Sequence, residues 1–187
     1  MLFYMPRTRQ PELTRAALLD AASVVLRDQG AALSLDAVAR AAGVSKGGLL
    51  HHYPSRDALL RALGFALIDR FRQQLDAAHA HELAAHGPAR GAWLRAYITL
   101  TFTPDRDGEA LHAALAPLAG HPALLAGLSE AQAFLLTDAE ADGVPPGTAH
   151  AIRLACDGYW MGDLTGLPRL NAAQAQALRE TLTAWTR

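Results

Sequence analysis

A chain of 187 residues with 51% apolar and 19% charged side chains can bury a sizeable core, which excludes a disordered or low-complexity segment. Its single cysteine, Cys156, excludes an intrachain disulfide, and no apolar run reaches the roughly eighteen residues of a membrane span, so a reducing, cytoplasmic setting away from membranes is expected. The net charge of −1 conceals an asymmetry: residues 1–61 hold eight Arg or Lys against five Asp or Glu, and the remainder holds nine against thirteen. A basic head on an acidic body suits a nucleic-acid contact confined to the N-terminal part.

Residues 1–10 are expected to form a flexible arm, with Arg7 and Arg9 either touching a DNA backbone or simply solvated; Met5 is an alternative start. A first helix is predicted from Pro11 to Gly30, with Leu18, Ala21, Ala22, Val25 and Leu26 as its apolar stripe. Ser34 caps a second helix over 35–42, where Val38 and Ala39 supply an apolar side. Gly43 provides the left-handed residue that ends it, and Ser45 starts a third helix running to His52, closed by Pro54. Two short helices joined by a tight turn containing Gly is the arrangement that lays the second in a major groove, with Lys46 at the end where phosphates would lie. Ser55 caps a longer fourth helix whose leucines and Phe71, four residues apart from Leu59 to Phe71, form a stripe too long for a three-helix head. It is therefore expected to join a helix-turn-helix head, residues 11–55, to a body, residues 56–187.

Further on, the helical pattern loosens between His79 and Pro88, and Pro88 starts a helix through about Phe102. Another opens at Thr103-Pro104-Asp105 and weakens near Pro117; others are predicted over 124–142 and 148–166, and a last one starts from Asn171 with Gln174 at capping-box spacing and ends at Trp185. No strand pattern appears. The expected fold is all-α, about nine helices: a three-helix helix-turn-helix head, a long fourth helix and a C-terminal helical body. Gly158, Gly162 and Gly166 recur every four residues and leave a strip where another helix approaches closely; with Leu178, Leu182 and Trp185 of the last helix they form the candidate dimer face, against the alternative of an intrachain contact. Trp93, Tyr97, Phe102, Phe134, Tyr159, Trp160 and Met161, with Asp157 and Asp163 nearby in sequence, are the candidate residues of a ligand pocket. Each aromatic taken singly fits a core position as well; together with carboxylates they suit a lipophilic ligand, cations included.

Residues 14–60 resemble the DNA-binding head of TetR-family transcriptional regulators in Leu18-Leu19-Asp20-Ala21-Ala22, Gly30, Ser34, Val38-Ala39, Ala42-Gly43-Val44-Ser45-Lys46-Gly47, His52-Tyr53 and Ser55-Arg56-Asp57-Ala58-Leu59. The resemblance implies an all-helical homodimer with a small-molecule pocket in a variable body and two final helices at the dimer interface. It places Ser45, Lys46, Gly47 and Gly48 at the start of the recognition helix, with Lys46 on a phosphate and the glycines allowing close approach. Where the family usually has Tyr this chain has Leu50, which loses a phosphate donor or replaces it with an apolar contact to a thymine methyl; His51 and His52 are expected to supply the missing donor. Tyr53 fits core better than a phosphate contact, and Arg40 is a further candidate. The stretch 46–55 and Asp157-Gly158-Tyr159-Trp160 also look like family members that regulate multidrug efflux. The implied function is a repressor of double-stranded operator DNA, released by a small-molecule effector, with no cofactor.

Three rival classes compete with this reading. No acid-base pair or nucleophile constellation supports an enzyme. A metal-responsive regulator would use His79, His81 and His86 before Gly87-Pro88, with His112, His121 and His150, but spacings of two and five do not align ligands on one helical face. A helical protein-interaction module without specific DNA binding is the third.

Overall fold

The computed structural model describes residues 11–103, 122–165 and 167–187. The expected arm at 1–10, the helix expected from Asp105, His112, His121 and Gly166 lie outside the described residues. Helix α1 spans Pro11–Gln29 and runs into a 3-10 turn, Gly30–Ala32; α2 is Leu35–Ala41, α3 Lys46–His52, and α4 Arg56–His86. The chain divides into two compact units, Met1–Leu63 and Gly64–Arg187, so the division falls inside α4, later than the expected 55/56 boundary.

In the first unit α1 buries the predicted stripe of Leu18, Ala21, Ala22, Val25 and Leu26, together with Leu33, Val38, Leu49, Leu59 and Leu60. At seven residues each, α2 and α3 are too short to be stable alone, so packing holds them. Each fully buried leucine contributes about 1.5–3 kcal/mol, more than the few tenths per residue by which helix propensities differ. Both helices start on serine caps: Ser34 Oγ accepts from the Ala37 N–H at 3.2 Å and Ser45 Oγ from the Gly48 N–H at 3.1 Å.

The second unit continues with α5, Ala92–Thr101; α6, Pro122–Ala131; α7, Phe134–Ala141; α8, Pro146–Thr165; and α9, Ala172–Trp185. Its centre is α5, which buries Trp93, Leu94, Ala96, Tyr97 and Ile98 and packs on α7, α8 and α9. Three boundaries differ from expectation. The His79–His86 segment is helical and forms the last turns of α4 rather than a linker. The predicted 124–142 helix is two helices, interrupted at Gln132 and Ala133, whose N–H groups bond three residues back to Ser129 and Glu130. And α5 begins at Ala92, not Pro88, because its N-terminal N–H groups are satisfied from a distant element: the Asp142 carboxylate accepts from Trp93 at 3.0 Å and Leu94 at 2.9 Å. The α9 capping box between Asn171 and Gln174 is present. Among the described residues there is no strand, and no helix is long and apolar enough to cross a membrane.

Candidate functional site

The turn between α2 and α3 is built on Gly43, whose φ of 66° is strained for any residue with a Cβ. Its reversal is closed by the Val44 N–H donating to the Ala39 carbonyl at 3.0 Å. Leu49 is fully buried and anchors α3, so the opposite side of the helix stays out. Ser45, Lys46, Gly47 and His51 are exposed, Leu50 is 37% exposed, and Gly48 and His52 are half-buried. Arg40 is exposed at the end of α2. The rings of His51 and His52 meet edge to face at 5.3 Å. Lys46 Nζ donates to Asp36 Oδ2 at 2.9 Å, an exposed pair. Tyr53 is 8% exposed and belongs to the core, so it leaves the set of DNA-facing residues; burial pushes its hydroxyl pKa up, against a smaller opposing effect from Arg15.

The two glycines of α3 differ. A Cβ on Gly47 would meet nothing within 4 Å, whereas on Gly48 it would come within 3.2 Å of Ser45 Oγ, the capping atom. Gly47→Ala is therefore expected to raise the urea midpoint by an amount worth up to about 1 kcal/mol, through helix propensity, while weakening DNA binding. A variant that is more stable and binds DNA unchanged would show that Gly47 is not at the contact.

The body holds a cavity of about 820 Å³ between α4, α5, α6, α7 and α8. Of the expected effector residues, Tyr97, Asp157, Trp160 and Met161 line it. Trp93, Phe102 and Phe134 do not. Trp93 is buried and stacks on Tyr97 with centroids 5.5 Å apart and planes 5° apart. Phe102 packs on Tyr159 at 4.6 Å, and Phe134 is buried with the Arg72 guanidinium 4.9 Å from its ring centre. Phe71, Glu130, Leu135 and Arg153 line the cavity without having been expected there. For Arg153 a signal existed, since it precedes Asp157 by four residues on α8, an ion-pair spacing on one helical face.

The cavity wall is held by specific contacts. Phe71 meets Trp160 at 5.3 Å and Tyr97 at 6.0 Å, both edge to face, and Trp160 Nε1 donates to the Thr101 carbonyl at 3.1 Å. The Tyr97 hydroxyl donates to Asp157 Oδ1 at 2.5 Å, and Arg153 Nη1 donates to Asp157 Oδ2 at 2.6 Å. Burial, and then the neighbouring Asp157 charge, hold the Tyr97 pKa well above 10, so the hydroxyl remains a donor. Asp157, expected to face a ligand cation, thus has both oxygens engaged inside the protein. Asp163 lies on the same helix, and its side chain is outside the described set.

Cys156 is fully buried beside this wall, and burial pushes its thiol pKa up to about 12. Its expected alkaline signature follows from linkage. The thiol ionises above about 9 in the unfolded chain and above about 12 in the folded one. It therefore removes up to about 1.4 kcal/mol of stability per pH unit across that window, and nothing below it. Urea unfolding from pH 8 to 11 should show this fall, shallower in Cys156→Ala; equal slopes would show that the native thiol ionises normally.

On α8, a Cβ at Gly158 or Gly162 would meet nothing within 4 Å, and Leu154 is 58% exposed. Trp185 is 47% exposed and Leu178 half-buried. Leu182, expected on the dimer face, is 1% exposed and packs inside its own chain, because that side of α9 lies on α5 and α8. Among the described residues no three His, Cys, Asp or Glu side chains converge as a metal site; His86 pairs with Glu82 at 3.4 Å and His150 with Glu140 at 3.0 Å.

A serine-capped helix exposed on a small helical head, in a chain whose second unit carries a partly open aromatic cavity, is the architecture of a helix-turn-helix protein with a separate helical body. Comparison with known proteins agrees: residues 18–63 match the bacterial regulatory proteins of the tetR family, and residues 91–187 match the tetracyclin repressor-like C-terminal domain. The chain belongs to the TetR family of DNA-binding transcriptional regulators and is not an enzyme. It is similar to the HTH-type transcriptional regulator BetI of Rhizobium meliloti (strain 1021), 35% identical over 103 residues; the match spans 54% of this chain and 48% of BetI, about half of that protein's length. Among solved structures it is similar to the multidrug binding protein EbrR complexed with malachite green, at 25% identity and a TM-score of 0.66 over 97% of this chain and 99% of that one. It is also similar to LfrR of Mycobacterium smegmatis complexed with proflavine, at 25% identity and a TM-score of 0.56 over 93% and 96%.

Proposed function

We propose that the protein is a cytoplasmic repressor that binds a palindromic operator as a homodimer and releases it when a small lipophilic molecule enters the body cavity. The observation that carries the effector part is the cavity itself: about 820 Å³, walled by Phe71, Tyr97 and Trp160, is the size and character of a site for a drug-sized aromatic molecule. The aromatic dyes held by EbrR and LfrR, malachite green and proflavine, support a ligand of that kind. Lys46, Gly47, Gly48, Leu50, His51 and His52, with Ser45 and Arg40, are the proposed DNA-facing set, and the open strip at Gly158 and Gly162 with Leu178 and Trp185 the proposed dimer face. Two heads roughly 34–36 Å apart would then read consecutive major grooves.

Ile68 and Phe71 of the cavity lie on α4, the same continuous helix whose first residues belong to the DNA-binding unit. An effector that favours one position of α4 lowers DNA affinity by the ratio of its own affinities for the two states. The test is to select an operator from random duplexes and titrate the complex with malachite green and proflavine, following anisotropy. Release by the dyes, held through their aromatic rings, with quenching of tryptophan fluorescence is expected. No duplex enriched would overturn the regulator reading, and dye binding without release would overturn the coupling.

A further inference from the structure

Among the described residues that line the cavity, Arg153 is the one cation, and it has donors to spare. Of its guanidinium nitrogens, Nη1 is taken by Asp157 and Nε is closed off from solvent and cavity alike, which leaves Nη2 as the donor open to a ligand. The acceptors beside it are already committed: Asp157 receives Tyr97 and Arg153, and the Tyr97 hydroxyl spends its proton on Asp157. Glu130, the other carboxylate of the lining, is exposed to solvent. A cation seeking Asp157 would have to share a carboxylate whose two oxygens already accept from Tyr97 and from an arginine one turn away on the same helix. A ligand carrying an acceptor oxygen would displace nothing.

Resting on the reading of this cavity as the effector site, we infer that Arg153 is the effector's polar anchor and that the effector is an aromatic molecule ending in an acceptor oxygen, a carboxylate above all. The ring lies among Phe71, Tyr97 and Trp160, and the oxygen receives guanidinium N–H groups that Asp157 leaves over. Arginine suits this role because its planar fork serves two acceptors at once, here one from the protein and one from the ligand. Asp157 then orients Arg153, and Tyr97 fixes Asp157. These two are positioning residues and need not touch the ligand.

The test compares three probes with one ring system: 2-naphthoate, 2-naphthylmethanol and 2-naphthylmethylammonium, titrated calorimetrically into the full-length protein. The carboxylate is expected to bind about 10-fold or more tighter than the ammonium, with the alcohol between. Arg153→Gln should erase the preference. Asp157→Asn should strengthen 2-naphthoate binding, since Arg153 then lacks its internal counter-charge, whereas a site built for cations would lose affinity for the ammonium instead. If Arg153→Gln fails to fold by circular dichroism, the joint replacement of Arg153→Met with Asp157→Leu removes the whole pair without stranding a charge and should bind the three probes equally. Tightest binding by the ammonium, or an undiminished carboxylate preference without Arg153, overturns the inference. Binding of none of the three while malachite green still releases operator overturns it too, and leaves the effector cavity standing.

Discussion

Lys46→Ala is expected to weaken binding to every DNA duplex alike, by about 10- to 100-fold for a dimer in which both copies give up a phosphate, and to make the salt dependence shallower by about 0.9 in log–log slope for each phosphate no longer neutralised. The magnitude follows from the two partners open to Lys46. In the free protein it pairs with Asp36 at 2.9 Å, with the two side chains 56% and 53% exposed. An exposed pair of that kind is worth about 0–1 kcal/mol, whereas a charge-assisted bond to a phosphate is worth about 1.5–3 kcal/mol, so on binding DNA the lysine is expected to leave Asp36 for a phosphate. Asp36→Asn should then tighten DNA binding slightly, by removing both the competitor and a negative charge near the phosphates. Measured at several salt concentrations, an unchanged slope for Lys46→Ala would take this residue out of the interface.

Gly91→Ala is expected to be the most destabilising single methyl among the described glycines of the body, at about 3 kcal/mol or more by urea unfolding. Gly91 has a φ of 76°, which by itself costs an alanine about 1–2 kcal/mol. Its Cβ would also run into the backbone carbonyl and side chain of Thr186. Thr186 cannot easily yield, being fully buried at the end of α9, with its hydroxyl donating to the Thr183 carbonyl at 2.8 Å and accepting from Arg95 at 3.3 Å. Arg95 is in turn held by Glu82 of α4 at 3.0 Å. Gly87→Ala is the matched control, because Gly87 has a φ of 73° but open space around it. It should lose only the strain; a loss as large as that of Gly91→Ala would mean the steric clash with Thr186 contributes nothing.

The head was legible because its signals are local. Ser34 and Ser45 cap the helices they precede, Gly43 takes the left-handed turn, and the α1 stripe is the buried face. The body was less so. Gly87-Pro88 read as a break preceded by a loose linker, yet α4 continues to His86, and Pro88 does not start α5, whose first N–H groups wait for Asp142 about fifty positions on. Only part of the aromatic set lines the cavity, for a similar reason. Trp93 and Tyr97 lie one turn apart on α5 and stack, but only Tyr97 lines the cavity. Periodicity identifies which residues share a helix face and says nothing of which neighbour closes over them.

What the sequence by itself determined is the class: a capped helix-turn-helix head, an all-helical body and membership of a family, all carried by motifs within a dozen residues of one another. What only the tertiary structure decided is how the charged residues of the cavity are paired. Asp157 looked like an anion offered to a ligand, and folding brought Tyr97, sixty residues away, and Arg153, one helical turn away, onto its two oxygens. A charge has a sign in the sequence, but whether it is spent inside the protein depends on which partners the packing delivers. In this body the packing uses the carboxylate internally and leaves unused donors on the arginine.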